Sequence, residues 1–150
     1  MVTSAGLVLY RHRSGGVQVL IAHMGGPFWA KKDDHAWSIP KGEYTSEEPL
    51  SAAEREFAEE LGSPAPAGPV LPLGSVRTSG KTVIAFAREG DFDASSIVSN
   101  TFTMQWPPRS GRTAEFPEVD RAEWFDLTTA TQKLVKGQAP FLVRLGQALA

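Results

Sequence analysis

Residues 42–62 read GEYTSEEPLSAAEREFAEELG, and they crowd Glu54, Glu56, Glu59 and Glu60 beside a single cation, Arg55. Pro49, with its fixed φ and missing N–H, suits a first helical turn, and Gly62 suits the left-handed position just past a last one. A helix drawn between them lines up Leu50, Ala53, Phe57 and Leu61 on one apolar face, which is the face to be buried. Glu56 then lies one turn from Glu59 and Glu60, where like charges repel by ~0.2–0.5 kcal/mol per pair. Glu59 and Glu60 also occupy the last turn, where the macrodipole favours cations instead. Arg55 reaches Glu59 at i+4, which leaves Glu56 and Glu60 sharing a patch without a protein partner. A hard divalent ion would fill that gap, because Mg²⁺ takes carboxylate oxygens and keeps waters that a phosphate can displace. The competing reading is a solvated, Glu-rich helix surface held by propensity alone. The flanking sequence decides against it.

Outward from this helix, Ser4 to Tyr10 and Val17 to His23 are apolar runs joined by Arg13-Ser14-Gly15-Gly16, which predicts a hairpin with a glycine turn. Gly25-Gly26-Pro27 breaks the pattern, and residues 28–36 form a polar loop carrying Lys31, Lys32, Asp33, Asp34 and His35. Beyond the helix, the three prolines of residues 63–69 predict a loop, and Val70 to Arg77 and Lys81 to Ala87 predict two more strands. Phe102, Met104 and Trp106 alternate with Thr101, Thr103 and Gln105, the mark of a half-buried strand. Residues 107–118 (PPRSGRTAEFPE) read as a long loop, Arg121 to Leu127 as a short strand, and Thr128 to Leu149 as helical with an interruption at Gly137. Strands interleaved with two helical segments predict an α+β sheet domain with helices on opposite faces.

At 150 residues the chain is expected to form one domain, residues 1–150. Its 15 basic and 17 acidic side chains leave a net charge of −2, which argues against broad capture of a nucleic-acid polymer or an anionic membrane. No apolar run approaches the roughly 18 residues of a membrane span, and the first apolar run is too short for a signal peptide. With no cysteine the chain has no disulfide, thiolate zinc site or thiol nucleophile, and a cytoplasmic location is the default expectation.

Arg55, Glu56, Phe57, Glu59, Glu60 and Gly62 fall without a gap on the second half of the pattern G-x5-E-x7-R-E-U-x-E-E-x-G-U, where U is apolar. The segment thereby resembles the Nudix box of the Nudix hydrolases. Glu47 takes the first glutamate position when counted back from Arg55, and Glu48 takes it when counted from Gly42; Ser63 replaces the closing apolar residue. Upstream, Trp37-Ser38-Ile39-Pro40-Lys41-Gly42 resembles the W-x-x-P-K-G lead-in of diadenosine polyphosphate hydrolases and some MutT-like enzymes. The resemblance implies an α/β/α sandwich with a mixed sheet between helices, and the box as loop, helix and loop.

It also implies a reaction: Mg²⁺- or Mn²⁺-dependent hydrolysis of a nucleoside diphosphate linked to another moiety, such as a dinucleoside polyphosphate. The expected metal ligands are Glu56 and Glu60, then Glu59, with the backbone carbonyl of Lys41. Arg55 is expected to brace the carboxylates, and Glu47 or Glu48 to orient Arg55. A further base is expected outside the box. Glu118 precedes Trp124 by the interval that separates a glutamate from a tryptophan in diadenosine polyphosphate hydrolases, and Glu115 is the reserve. Lys41, Arg77, Lys81, Arg109 and Arg112, at strand ends or in loops, are candidates to bind substrate phosphates. Trp29, Trp37, Trp106 and Phe116 are candidates to stack on a base, although Trp37 and Trp106 equally suit a core. His12, His23 and His35 form no metal spacing and receive no role. Two alternatives stay open: the same chemistry on an oxidised nucleoside triphosphate, ADP-sugar or inositol pyrophosphate, and a non-catalytic nucleotide sensor.

Overall fold

The computed structural model describes residues 2–150. The first hairpin forms as its sequence predicts, from β1 (Val2–Arg13) and β2 (Gly16–Met24), turned by Ser14 and Gly15 with φ of 52° and 77°. The two strands stay paired only from Tyr10↔Val19 outward to Arg13↔Gly16. Where they part, residues 37–43 are inserted between them. β3 (Trp37–Ser38) pairs with β2, and β4 (Lys41–Glu43) pairs with β1. Backbone bonds Leu7 N→Pro40 O and Met24 N→Ala36 O close the wedge from both sides. The lead-in residues therefore sit inside the sheet.

After α1 (Pro49–Leu61) come β5 (Val70–Thr78) and β6 (Lys81–Glu89), and β6 runs parallel to β1 while every other pairing is antiparallel. β7 (Thr101–Gln105) and β8 (Thr113–Pro117) form a separate two-stranded sheet. That corrects the expectation of one long loop over residues 107–118: only residues 106–112 connect the strands, and Thr113–Pro117 pairs back on Thr101–Gln105. β9 (Val119–Asp126) returns to the main sheet along β2, and α2 (Leu127–Lys133) and α3 (Ala139–Leu149) complete the chain, with a 3₁₀ turn between them. Three helices thus flank the mixed sheet.

β1 is apolar on both faces because both are covered. Ala5, Leu7 and Leu9 pack with Ala52, Ala53, Phe57 and Leu61 of α1, whereas Val8 packs with Trp37 and with Phe141, Leu142 and Leu145 of α3. Gly62 ends α1 at φ 85°, as a left-handed cap, and its N–H bonds to Ala58 O. Phe57 is fully buried and edge-on to Phe92, at 5.2 Å. Truncating Phe57 to alanine is expected to cost about 3–5 kcal/mol, or about 10 °C of melting temperature in a calorimetric scan. Among the described residues no helix is long and apolar enough to cross a membrane.

Candidate active site

Burying Ala53, Phe57 and Leu61 turns the flank of α1 that carries Glu56 and Glu60 toward β4. The Glu60 carboxylate accepts a hydrogen bond from the Lys41 backbone N–H. The Glu56 carboxylate lies directly against Gly42, in the space that a Cβ there would fill. The acidic helix and the Pro-Lys-Gly segment are thereby in contact, across a stretch of sequence that neither controls alone.

Arg55 does more than its spacing suggests. Its Nη1 reaches Glu59 Oε2 at 3.2 Å, as expected at i+4, but also donates to Glu56 Oε1 at 3.0 Å. Nε lies 3.0 Å from both oxygens of Glu47, and Nη2 donates to Glu47 Oε1 at 2.6 Å. The expectation that Glu56 lacks a protein partner is therefore corrected: one long guanidinium spans Glu47, Glu56 and Glu59. Of the two possible first glutamates, Glu47 meets Arg55, while Glu48 occupies the N-cap of α1 without a side-chain capping bond. Its Arg55 hydrogen bonds hold Glu47 below the usual carboxylate range.

Glu56 and Glu60 are shifted the other way. Burial raises Glu56, more than its Arg55 hydrogen bond lowers it, and the charge of Glu59 adds to the rise. Burial pushes Glu60 up to about 8; the Lys41 ammonium and backbone N–H oppose this, and the charges of Glu56 and Glu118 reinforce it. Two neighbouring carboxylates whose ionisation is opposed by burial and by each other's charge are short of positive charge, and that is the condition a bound cation relieves. Among the described residues, no three His, Cys, Asp or Glu side chains gather into a cage of their own. The donor set fits Mg²⁺, which binds through one or two carboxylates and completes its shell with waters and substrate oxygens.

Glu118 is exposed in the link between β8 and β9, and its charge reaches both Glu56 and Glu60. Its backbone is tied at both ends, N–H to Asn100 O at 2.8 Å and carbonyl to Gly25 N–H at 2.9 Å. Glu115 stands on β8 opposite Thr103, in the exposed row of that small sheet. Lys41 and Gly42 also line a cleft of about 360 Å³ on the other side of β4, with Lys81 at its rim and Val76 and Val83 on its wall. Arg77 lies in β5 opposite Thr82, while Arg109 and Arg112 flank the tip of the β7–β8 hairpin. Of the aromatic candidates, Trp37 is core at 1 % exposure, and Trp106 packs edge-on to Phe28 and Phe116 in the hairpin's own cluster.

Two side chains that the sequence did not single out help to build this site. Gln138, 4 % exposed, accepts from Ile39 N–H and donates to Ser38 Oγ, pinning the segment before Lys41 from the far end of the chain. His23 is fully buried and bonded to Asp120. Neither carries a local signal, since Asp120, Ile39 and Ser38, the partners that tie them into the site, are 97 to 100 residues away.

A mixed sheet between helices, with the acidic flank of α1 packed against the Lys41–Gly42 strand, defines an α+β domain of the Nudix type. The chain belongs to the NUDIX domain family, whose model matches residues 2–145. Solved structures agree on the fold. An Ap4A hydrolase of C. elegans, in a binary complex, is similar over 99 % of this chain and 98 % of its own, with a TM-score of 0.63 and 20 % identity. The NUDIX domain of Shewanella oneidensis NrtR, complexed with ADP ribose, is similar over 100 % of this chain and 89 % of its own, with a TM-score of 0.66 and 14 % identity. A mutT/nudix family protein from Listeria innocua matches with a TM-score of 0.62 and 17 % identity, covering 99 % of this chain and 93 % of its own. No curated protein matches the chain in sequence.

Proposed function

We propose that the chain is a metal-dependent pyrophosphohydrolase, one domain that cleaves a nucleoside diphosphate linked to another moiety, with dinucleoside polyphosphates as the leading substrate class. The observation that carries this reading is the contact of Glu56 and Glu60 with the Lys41–Gly42 backbone, within reach of the Glu118 charge. Glu56 and Glu60, with Glu59 and the Lys41 carbonyl, would hold Mg²⁺ or Mn²⁺, and the bound ion supplies neutralisation of the diphosphate charge. Arg55 keeps Glu47, Glu56 and Glu59 in fixed positions. Lys41, whose charge reaches Glu60, is the leading cation for phosphate oxygens, with Lys81, Arg77, Arg109 and Arg112 as outer contacts. A water oxygen adds to phosphorus, the P–O bond of the anhydride breaks, and Glu118 takes the water's proton, with Glu59 as the second carboxylate suited to that task.

The likeness to an Ap4A hydrolase supports testing diadenosine polyphosphates first, and the likeness to a NUDIX domain complexed with ADP ribose supports a nucleoside diphosphate sugar as the second class. Chromatography of the nucleotide products, with Mg²⁺, across diadenosine polyphosphates, nucleoside triphosphates and ADP-sugars decides between them. Faster turnover of the diadenosine compounds is expected. Tight binding of any of these without turnover would replace the enzyme reading by that of a nucleotide sensor. In the same assay Glu118→Gln is expected to lower kcat about 100-fold with the fold intact, the scale of a lost general base. Near wild-type turnover would remove Glu118 from the mechanism.

A further inference from the structure

β2 and β9 run in regular register from Gln18↔Asp126 to His23↔Arg121, and the next pair is Met24↔Val119. One step along β2 therefore spans two along β9, and Asp120 is the extra residue of a β-bulge. The consequence is a change of face. Trp124 and Ala122 belong to the core beneath α1, and strict alternation would send Asp120 there as well, among the carboxylates. Instead Val119 takes that place in the core, and Asp120 is turned to His23.

The His23 ring is committed on both sides. Nε2 lies 2.7 Å from the Lys32 carbonyl, which can only accept, so Nε2 carries a proton; Nδ1 lies 2.8 Å from Asp120 Oδ1. Both ring nitrogens are thereby engaged, and the edge of the ring meets Trp37 at 5.1 Å. The ring instead joins three pieces of chain: β2, the bulge, and the loop that follows Met24. The first residue of that loop, Gly25, donates to the Glu118 carbonyl. On the other side of the bulge, Val119 N–H is held by Ser99 Oγ at 3.0 Å. Glu118 itself is exposed, so its direction is set by this backbone and not by side-chain packing.

We propose that His23 and Asp120 are positioning residues, whose hydrogen bond locks the bulge in β9 and thereby aims Glu118 at the acidic flank of α1. The catalytic half of the proposal rests on the role given to Glu118 above; the lock does not. Two experiments on the full chain keep them apart. In the first, hydrogen exchange by NMR is compared between wild type and Asp120→Ala. The amides of Gly25, Glu118 and Val119 are expected to exchange about tenfold faster or more, while those of Leu7 and Phe57 keep their protection. Asp120→Asn, whose amide can still donate to Nδ1 while Nε2 serves Lys32, is expected to restore slow exchange. Unchanged exchange at the three amides would overturn the lock.

The second experiment is a kinetic cycle of Asp120→Ala and Glu118→Gln, singly and together, with Mg²⁺ and the best substrate of the panel. Asp120→Ala alone is expected to lower kcat about tenfold at nearly constant KM, the scale of a misplaced group. It should lower kcat no further once Glu118 is glutamine, and Asp120→Asn should stay within about twofold of wild type. An equal loss in both backgrounds would show that Asp120 acts through general stability and would overturn the positioning role. Full turnover by Glu118→Gln alone would overturn the catalytic half, and the exchange measurement would still decide the lock. If Asp120→Ala fails to fold, Asp120→Ser, which is too short to keep the 2.8 Å contact, takes its place in both experiments.

Discussion

Glu60→Gln is expected to lower turnover by about 1,000-fold or more and, at the same time, to stabilise the metal-free protein at alkaline pH. The two effects have one cause. Burial holds Glu60 protonated to about pH 8, with Glu56 and Glu118 adding their repulsion, whereas an unfolded chain releases this proton near 4.5. The folded state therefore binds the proton more tightly than the unfolded state, and the stability this confers is fully present below about pH 4.5. It is lost as pH rises through the interval from 4.5 to 8. Above that interval an ionised Glu60 costs the fold on the order of a few kcal/mol. Melting temperatures in EDTA should accordingly fall from pH 5 to pH 8 in the wild type, and much less in Glu60→Gln. Adding Mg²⁺ at pH 8 should raise the wild-type value, because the ion binds only the deprotonated site, and leave the variant nearly unmoved. A Glu60→Gln protein that keeps both its turnover and its Mg²⁺ response would exclude this carboxylate from metal binding.

Gly42→Ala is the second large effect. The new methyl group would occupy the position of the Glu56 carboxyl group. Either Glu56 swings away or β4 retreats from α1, and the second movement also pulls the Lys41 N–H off Glu60. Turnover should fall by about 100-fold or more, with a stability loss of only ~1–3 kcal/mol, the usual scale of overpacking. Mg²⁺ affinity, measured by calorimetry without substrate, should fall with it. Gly16→Ala is the control. A Cβ at Gly16 meets nothing closer than Arg13 O at 4.0 Å, and that variant should behave as wild type. Unchanged activity in Gly42→Ala would mean that the contact between Glu56 and the glycine strand has no part in the chemistry.

The acidic helix was legible because its determinants are local. Pro49 and Gly62 mark its ends, a period of 3.6 marks its buried face, and Arg55 meets Glu59 at the spacing a helix dictates. The reach of Arg55 to its immediate neighbour Glu56 was not legible, because adjacent residues do not face each other on a helix; only the length of the guanidinium arm allows it. β3 and β4, two and three residues long, carry no periodicity and exist because β1 and β2 part and leave unpaired edges for them. Thr113–Pro117 has the look of loop in the sequence because Pro107, Pro108 and Gly111 dominate its neighbourhood, and its pairing with Thr101–Gln105 outweighs that local preference. His23 drew no role because no metal spacing surrounds it, and its partner Asp120 lies on another strand.

Residues 42–62 by themselves dictated a capped amphipathic helix with more negative charge than its neighbours can neutralise, since caps, periodicity and i,i+4 spacing act within a few turns of backbone. Folding decided where that charge is used. The sheet had to open between β1 and β2 to place Lys41 and Gly42 against Glu60 and Glu56, and β9 had to bulge at Asp120 before Glu118 could face them. Those contacts depend on pairings between strands far apart in the chain, and their geometry follows from strand register, which no short window of sequence encodes.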